Sequence, residues 1–473
     1  MTAIAFQSTK ASHEQLRQNL RPGSESQIGN LLAACDRFVP PRLLRMIGAR
    51  SIDQVRPGQH VQAIVHVLFV DILGYTTLTE NQTPADSFRF INDYLGMMEP
   101  VVERNGGVVD KFIGDAIMAL FPGDADDAVQ CAVELAATLA TFNSRRAKAG
   151  QSPIGIGIGI NSGTVQIGAV GTRRRLQTTV IGDAVNLAAR LEATTRDYGA
   201  QILISESVLY AMNGPQPAMS RFIDRIRVKG KLRPVSIYEI VTRQDPAYAS
   251  KVESRTQFER AVAYYHTRHV DEARALFGPL CADGRDDGPA QVYLARCEQF
   301  LRDGTHHGTG EISTGLEWCQ DYNIGVDEID QQHQEWCKRL GELLDRLHSG
   351  RQDGVAELFD YLREYIHWHF TEEEALMDEH GYPLRPEHKL EHAHYAQALE
   401  RFRMELQDGG REPLLVTFRA NLFLVDWFVN HTTSTDREFG RFLARRTSTG
   451  SANAMGPNAR AVAPQTRCAP GLP

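Results

Sequence analysis

The sequence predicts a multidomain protein in which a mixed α and β region is followed by an all-α one. The chain has 473 residues, and at about 100–200 residues per domain that length holds two to four cores. Up to about residue 245, short β-branched runs alternate with helical periodicity, whereas from Leu316 onward apolar residues recur at helical spacing alone. The 16 histidines are skewed, many of them lying beyond residue 330, so the two ends are expected to do different chemistry. Composition narrows the class further. With 42% hydrophobic and 23% charged residues the chain is globular in type, and its net charge of −8 points to no nucleic-acid or anionic-membrane surface. No apolar run reaches the roughly 18 residues of a membrane span. The opening MTAIAFQSTKASHEQ lacks the basic and apolar regions of an export signal. Seven scattered cysteines without a CxxC pair (Cys35, Cys131, Cys281, Cys297, Cys319, Cys337, Cys468) fit reduced thiols and a cytoplasmic location.

Taken in order, residues 1–55 are a polar segment followed by an entry helix, Ile28 to Ile47, interrupted at Pro40 and Pro41. Val61–Asp71 reads as a buried strand and Phe88–Arg104 as a helix stopped by Asn105-Gly106-Gly107. GVVDKFI and AIMALF form a hairpin around Gly114-Asp115. An Ala-rich helix over 124–148 precedes a strand in PIGIGIGINSGTV, another at Gln177–Ile181, and a helix at Asp183–Thr195. Strands near Arg221–Val228 and Ser236–Val241 close a domain over 56–245. Residues 250–303 read as short amphipathic helices that resemble a single tetratricopeptide-like hairpin, a unit that must pack on a neighbour to bury its face. After a Gly/Thr-rich linker, a domain over 314–443 has helices near 330–348, 355–379, 386–407 and 412–442; residues 444–473 carry no apolar period and are expected to be disordered.

Two carboxylates in the first domain stand where carboxylates are costly. Asp71 ends a buried strand and Asp115 sits in a tight turn; each caps its turn, or the two together hold Mg²⁺. Asn186 and Arg190, four residues apart, share a helix face and suit either solvent or a ribose and a phosphate. Lys111 is a charge within an apolar run, and Lys229 and Lys231 flank Gly230.

In order and spacing, FVDILGYTTLTE, VVDKFIGDAIMALF, TTVIGDAVNLAARLE and VKGK resemble the four signature stretches of class III nucleotidyl cyclases over roughly residues 60–242. The resemblance implies an α+β ferredoxin-like domain with a βαββαβ core and an adenylate cyclase, converting ATP to cyclic AMP and pyrophosphate. It implies that Asp71 and Asp115, with the carbonyl of Ile72, hold two Mg²⁺ or Mn²⁺ that bridge the triphosphate and help the ribose 3′-OH attack the α-phosphorus. Lys111 and Thr179 would select the base, Asn186 orient the ribose, Arg190 stabilise charge on the α-phosphate, and Lys229 bind the terminal phosphates. Thr179 stands where many members have Asp, as in the cyanobacterial and soluble-type subgroup, and Tyr75 stands where Phe is usual. Guanylate-specific relatives carry Glu in place of Lys111, so ATP is expected and GTP is the alternative. Because the family splits its site between subunits, a head-to-tail homodimer is implied.

In the second region His369 and Glu373 are four apart, as are His388 and His392, so each pair shares a helix face. His431 and Asp436 are five apart, about 140° from a common face, and converge only through a local distortion. His333 lies alone in DEIDQQHQEW. Five histidines and two carboxylates favour Fe over Zn or Cu. WCQDYNIGVDEIDQQH, HFTEEEALM, HKLEH and HTTSTD, in that order, resemble hemerythrin. The resemblance implies an up-down four-helix bundle holding two non-haem irons through His333, His369, Glu373, His388, His392, His431 and Asp436. Glu373 and Asp436 would bridge them, with a position open to O₂ or another small ligand. Trp427 is expected to pack the cavity. His348, His367, His380 and His394 fall outside the ligand pattern and are expected at the surface or behind the ligands. Together the two resemblances imply a cyclase governed by O₂ or redox state; the alternative is an O₂- or iron-binding protein with a vestigial cyclase domain.

Overall fold

The structure, a computed structural model, describes residues 24–80, 82–172, 174–213, 219–226, 234–282, 286–305, 316–349, 355–407 and 418–451. Lys229, Lys231 and residues 452–473 lie outside them. Helices α1 (Ser24–Phe38) and α2 (Pro41–Met46), parted at Pro40, lead into strand β1 (His60–Ile72). Then follow α3 (Tyr75–Glu80), α4 (Pro84–Arg104), β2 (Val108–Ile113), β3 (Ala116–Phe121), α5 (Ala125–Lys148), β4 (Ile156–Thr172), β5 (Arg175–Ile181) and α6 (Asp183–Tyr198). The first region ends with β6 (Ile202–Ser205), α7 (Glu206–Ala211), β7 (Met219–Ile226) and β8 (Val235–Val241). The strands form one sheet in the order β2-β3-β1-β4-β6-β8-β7, with β5 paired to β4. Short α3, β6 and α7 have no counterpart in the sequence reading, and β4 begins three residues later than expected and runs on to Thr172.

Burial explains the layering. The run Val65–Val70 of β1, apolar but for His66, is buried on both faces because the sheet is covered on both. Leu68, Val70 and Ile72 join the core under α4 and α5, while Val65, Val67 and Phe69 join the one under α2 and α6. β4 repeats the division with a twist. Ile156, Ile158 and Ile160 point into the first core, and the alternating Gly157 and Gly159 let α6 lie directly on the strand. A Cβ on Gly159 would come within 2.1 Å of the Glu192 amide nitrogen and 2.5 Å of the Ala188 carbonyl. The glycine spacing is therefore what sets the height of α6.

The connector, α8 (Tyr248–His266), α9 (Val270–Leu280) and α10 (Gly288–Asp303), packs on the sheet edge and shares its core through Phe258, Tyr265, Phe277 and Tyr293. Edge strand β7 carries a bulge between Phe222 and Asp224. Without it Arg221 and Asp224, three apart, would face opposite sides; the extra residue turns both toward the connector. Arg221, fully buried, pairs with Glu239 at 2.7 Å and doubly with Asp287 at 2.7 and 2.8 Å. Lys251 completes the group at 2.9 Å from Glu239 and 2.7 Å from Asp245. Asp224 meets His266 at 3.2 Å, Arg296 at 2.6 Å and the Tyr198 hydroxyl.

The C-terminal region has α11 (Asp327–His348), α12 (Val355–His380), α13 (Arg385–Gln407), α14 (Asp426–His431) and α15 (Arg437–Ser451), with π-helical turns at Asn421–Val425 and Thr432–Asp436. Successive helices pack around a second core containing Trp336, Leu340, Phe359, Ile366, Phe370 and Phe428. The last helical run docks on the first region. Asp426 pairs with Arg225 of β7 at 2.6 Å, Asn430 donates to Glu206 of α7 at 3.0 Å, and the Tyr210 hydroxyl donates to the Leu422 carbonyl at 2.7 Å. His394, expected at the surface or behind the ligands, is buried and close enough to His66 of β1 to act on its charge. No helix among the described residues is long and apolar enough to cross a membrane.

Removing one member of a buried ionic group strands its partners, at about 3–5 kcal/mol. Arg221→Ala is therefore expected to lower stability by that amount in urea melts and to loosen the connector. Burial works to raise the Asp224 pKa, but His266, Arg296 and Tyr198 hold it well below the usual carboxylate range. A depressed folded pKa gives stability that is present above the unfolded value, about 3.9, and lost as pH falls. Asp224→Asn should accordingly flatten the acid limb of the stability–pH curve; an unchanged limb would contradict the assignment.

Candidate active site and metal centre

The acidic pair forms where β1 ends beside the β2–β3 turn. Gly114, at φ +66°, makes that turn and sends Asp115 toward β1, where its carboxylate accepts the Ile72 amide at 3.3 Å. Burial, reinforced by Asp71, pushes Asp115 up to about 6. Asp71 itself is paired with Arg196 of α6 at 2.6 Å. Glu192, one turn earlier, is buried and pushed up to about 7, first by burial and then by Asp71. Two carboxylates this close need a cation between them, and Arg196 stands at one of them. The hard carboxylate oxygens of Asp71 and Asp115 suit a divalent cation such as Mg²⁺ or Mn²⁺.

Lys111 and Thr179 come from different strands, β2 and β5, yet the Lys111 Nζ donates to the Thr179 hydroxyl at 3.3 Å. Asp110 lies 3.2 Å from the same ammonium. Asn186 is exposed and Arg190 half-buried on α6, and neither side chain hydrogen-bonds another described residue. Within one chain the structure thus joins Asp71 with Asp115 and Lys111 with Thr179, and leaves Asn186 and Arg190 facing outward. Lys229 lies outside the described residues. Arg196, Glu192 and Asp110 escaped the sequence reading because a charged residue on an exposed-looking helix turn or beside another charge has no spacing to mark it.

All seven sequence-selected residues of the C-terminal region converge, each no more than 2% exposed. Asp436 spans the group: one oxygen lies 3.3 Å from His333 Nε2, the other 2.9 Å from His431 Nε2 and 3.0 Å from His388 Nε2. Glu373 lies 3.8, 3.6 and 3.4 Å from His369, His388 and His392. The carboxylates thus sit between two histidines on one side and three on the other. The π turn at Thr432–Asp436 is the distortion that the five-residue spacing requires, since its wider turn brings His431 and Asp436 to one face.

A second layer orients the rings. His369 Nδ1 meets Gln332 at 2.6 Å, His392 Nδ1 meets Glu374 at 3.1 Å, and His431 Nδ1 meets Glu391 at 2.9 Å. Each partner leaves Nε2 for the cluster, the arrangement that metal-binding histidines use. Trp427 stacks on His431 at 4.2 Å and on Tyr395 at 4.0 Å. Burial pulls His369 down to about 3 and lowers His333. Burial also acts to lower His388 and His431, yet Glu373 and Asp436 override it and raise them to about 10 and about 9. Protons on these rings offset the two carboxylates, which is the charge a bound metal pair would supply.

The family described as the adenylate and guanylate cyclase catalytic domain matches residues 59–242, and the hemerythrin HHE cation binding domain matches residues 324–443. Residues 59–242 are a class III cyclase domain, and residues 324–443 are a hemerythrin domain. An adenylate cyclase of Anabaena cylindrica is 42% identical over 223 residues, covering 46% of this chain and 44% of that protein. The terminal-differentiation specific adenylate cyclase of Dictyostelium discoideum is 31% identical over 284 residues, 58% of this chain and 13% of that one. Adenylate cyclase 1 of Rhizobium meliloti (strain 1021) is 31% identical over 183 residues, 37% and 27% of the two chains. The chain spans less than half the length of these curated relatives.

Metal can enter the hemerythrin cluster only as protons leave it. Adding Fe(II) to metal-free protein at pH 7 in weak buffer should release protons, and affinity should fall as pH drops. Constant pH on titration would contradict this. Glu391→Ala, which frees the His431 ring, should weaken metal binding about 10–100-fold.

Proposed function

We propose that the chain is an adenylate cyclase, converting ATP to cyclic AMP and pyrophosphate, whose rate responds to O₂ or redox state at a di-iron centre in its hemerythrin domain. The observation that carries the enzymatic half is the pairing of Lys111 with Thr179 in a chain that also brings Asp71 to Asp115. Lys111 donates only, and the Thr179 hydroxyl can accept, so the pair suits the N1 acceptor and N6 amine of adenine. Guanine offers two adjacent donors, N1–H and N2, which call for a carboxylate.

Asn186 orients the ribose so that its 3′-oxygen faces the α-phosphorus, and Arg190 takes up the charge that develops on the α-phosphate as pyrophosphate leaves. Lys229 is assigned the terminal phosphates. Two Mg²⁺ or Mn²⁺, held by Asp71, Asp115 and the Ile72 carbonyl, supply positive charge at the triphosphate. Neither Asn186 nor Arg190 hydrogen-bonds or ion-pairs with the acidic pair of its own chain, so they are assigned to the acidic pair of a second copy in a head-to-tail homodimer. Large exposed apolar side chains support that surface: Phe112 and Ile113 follow Lys111, and Val170, Leu176 and Ile181 lie on the β4–β5 hairpin that carries Thr179.

Residues 314–443 are read as an up-down four-helix bundle and 250–303 as a tetratricopeptide-like connector. Two non-haem irons fit the five histidines, Glu373 and Asp436, and add redox and small-ligand chemistry to the domain when bound. Docking of the ligand-bearing run on β7 and α7 supports a regulatory link, because ligand binding shifts a state only through differential affinity. Such a protein works in the cytoplasm, where ATP is supplied.

Asp71→Ala and Arg190→Ala proteins should each be inactive alone. Mixed in equal amounts they should recover about one quarter of the wild-type rate, since half the dimers then hold one intact site. No recovery would exclude the shared site. Lys111→Glu should shift preference toward GTP in competition assays. Rates measured for protein reduced under nitrogen, then aired, then oxidised should differ; equal rates in all three would remove regulation from the proposal.

A further inference from the structure

A chain of hydrogen bonds connects the metal cluster to the catalytic helix. Asn430 immediately precedes His431, and its amide donates to Glu206 Oε1 at 3.0 Å. Glu206 is buried, and its other oxygen accepts the Ser236 amide at 2.7 Å, so it is fixed between α14 and β8. The next residue, Ser207, donates to Asn161 Oδ1 at 3.1 Å and lies 3.0 Å from the Ser162 carbonyl. Asn161 is 2% exposed in the middle of β4, and its amide donates to the Ala184 carbonyl at 3.1 Å. Ala184 lies in the first turn of α6, two residues before Asn186.

Two physical features make this more than local packing. A buried amide that spends its oxygen on one element and its nitrogen on another fixes the distance between them, because losing either bond strands a polar atom. The far end of the chain, moreover, sits against a turn whose shape depends on the cluster. His431 and Asp436 share a face only while Thr432–Asp436 keeps its π geometry. Release of either residue from the cluster removes what favours that geometry, and reverting to α spacing turns the helix by about 100° at that point. Asn430, on the boundary of the turn, moves with it.

We propose that Asn430, Glu206, Ser207 and Asn161 are positioning residues that set the first turn of α6, and with it Asn186 and Arg190, according to occupancy of the hemerythrin site. This rests on the regulated-cyclase function proposed above and adds the route. The docked Arg225–Asp426 pair acts as the fulcrum, holding α14 on the sheet while the turn beyond it changes.

The test uses full-length protein loaded with iron and the same protein stripped by a chelator and returned to Mg²⁺. In the wild type kcat/KM for ATP should differ between the two forms by at least about fivefold. Hydrogen exchange of residues 183–190 should differ with it. Ser207→Ala, remote from every cluster residue, should keep its iron content yet lose both differences, while Ser207→Thr, which retains the hydroxyl, should restore them. Asn430→Ala should behave as Ser207→Ala does. If the wild type responds and Ser207→Ala responds equally, the route is overturned and regulation stands. If the wild type itself does not respond in rate or exchange, regulation and route fall together, while ATP turnover by either form still supports the cyclase.

Discussion

Strand β7 buries three charged side chains, Arg221, Asp224 and Arg225, and no single region of the chain can satisfy them. A buried charge without a partner costs several kcal/mol, so each recruits one from elsewhere. Arg221 draws Asp287 from the start of the connector's third helix, Asp224 draws His266 and Arg296, and Arg225 draws Asp426 from the hemerythrin domain. The edge of the cyclase sheet is thereby completed by the two regions that follow it in sequence. Such pairs add little net stability over an apolar contact of the same shape, but they strongly disfavour a wrong register. What β7 enforces is the relative placement of the three regions.

The same placement brings the helix that carries His431 against the sheet. Had β7 ended in apolar residues, the C-terminal helices could have slid over it. Asp426 and Asn430 instead anchor at two points one turn apart, on Arg225 and Glu206, with Tyr210 holding Leu422 a further turn back. The anchored segment is bounded by π turns on both sides. The second of these turns carries Asp436 of the cluster.

Much of this was legible in the sequence, for reasons that differ by element. Four of the seven clustered residues, His369, Glu373, His388 and His392, stood out through i, i+4 spacing, and the failure of His431 and Asp436 to fit that spacing already required the distortion seen at Thr432–Asp436. The Gly157/Gly159 alternation reads as a strand from its isoleucines, but only the proximity of α6 explains why the other face is glycine. Short β6 and α7 were invisible because four- and six-residue elements held by tertiary contacts carry too little periodicity. Arg196, Glu391 and the Asn161–Ser207 bond were equally hidden, since each acts on a neighbour distant in sequence. The burial of charged side chains along MSRFIDRI has no mark in the strand's own pattern, because it comes from the connector packed on it.

Both sites solve one electrostatic problem in opposite ways. At Asp71 the negative charge is met by Arg196, a permanent cation on a long, half-exposed side chain. A guanidinium cannot give up its charge, so a divalent ion reaches Asp71 only if Arg196 swings aside. That motion costs little for a side chain already open to solvent. In the hemerythrin cluster Glu373 and Asp436 face buried histidines, and the carboxylates override the downward pull of burial on His388 and His431. No side chain can swing there, so the counter-charge must be one that leaves by dissociation. A half-exposed side chain can make way for a cation, whereas a buried histidine–carboxylate cluster takes one up only as protons leave.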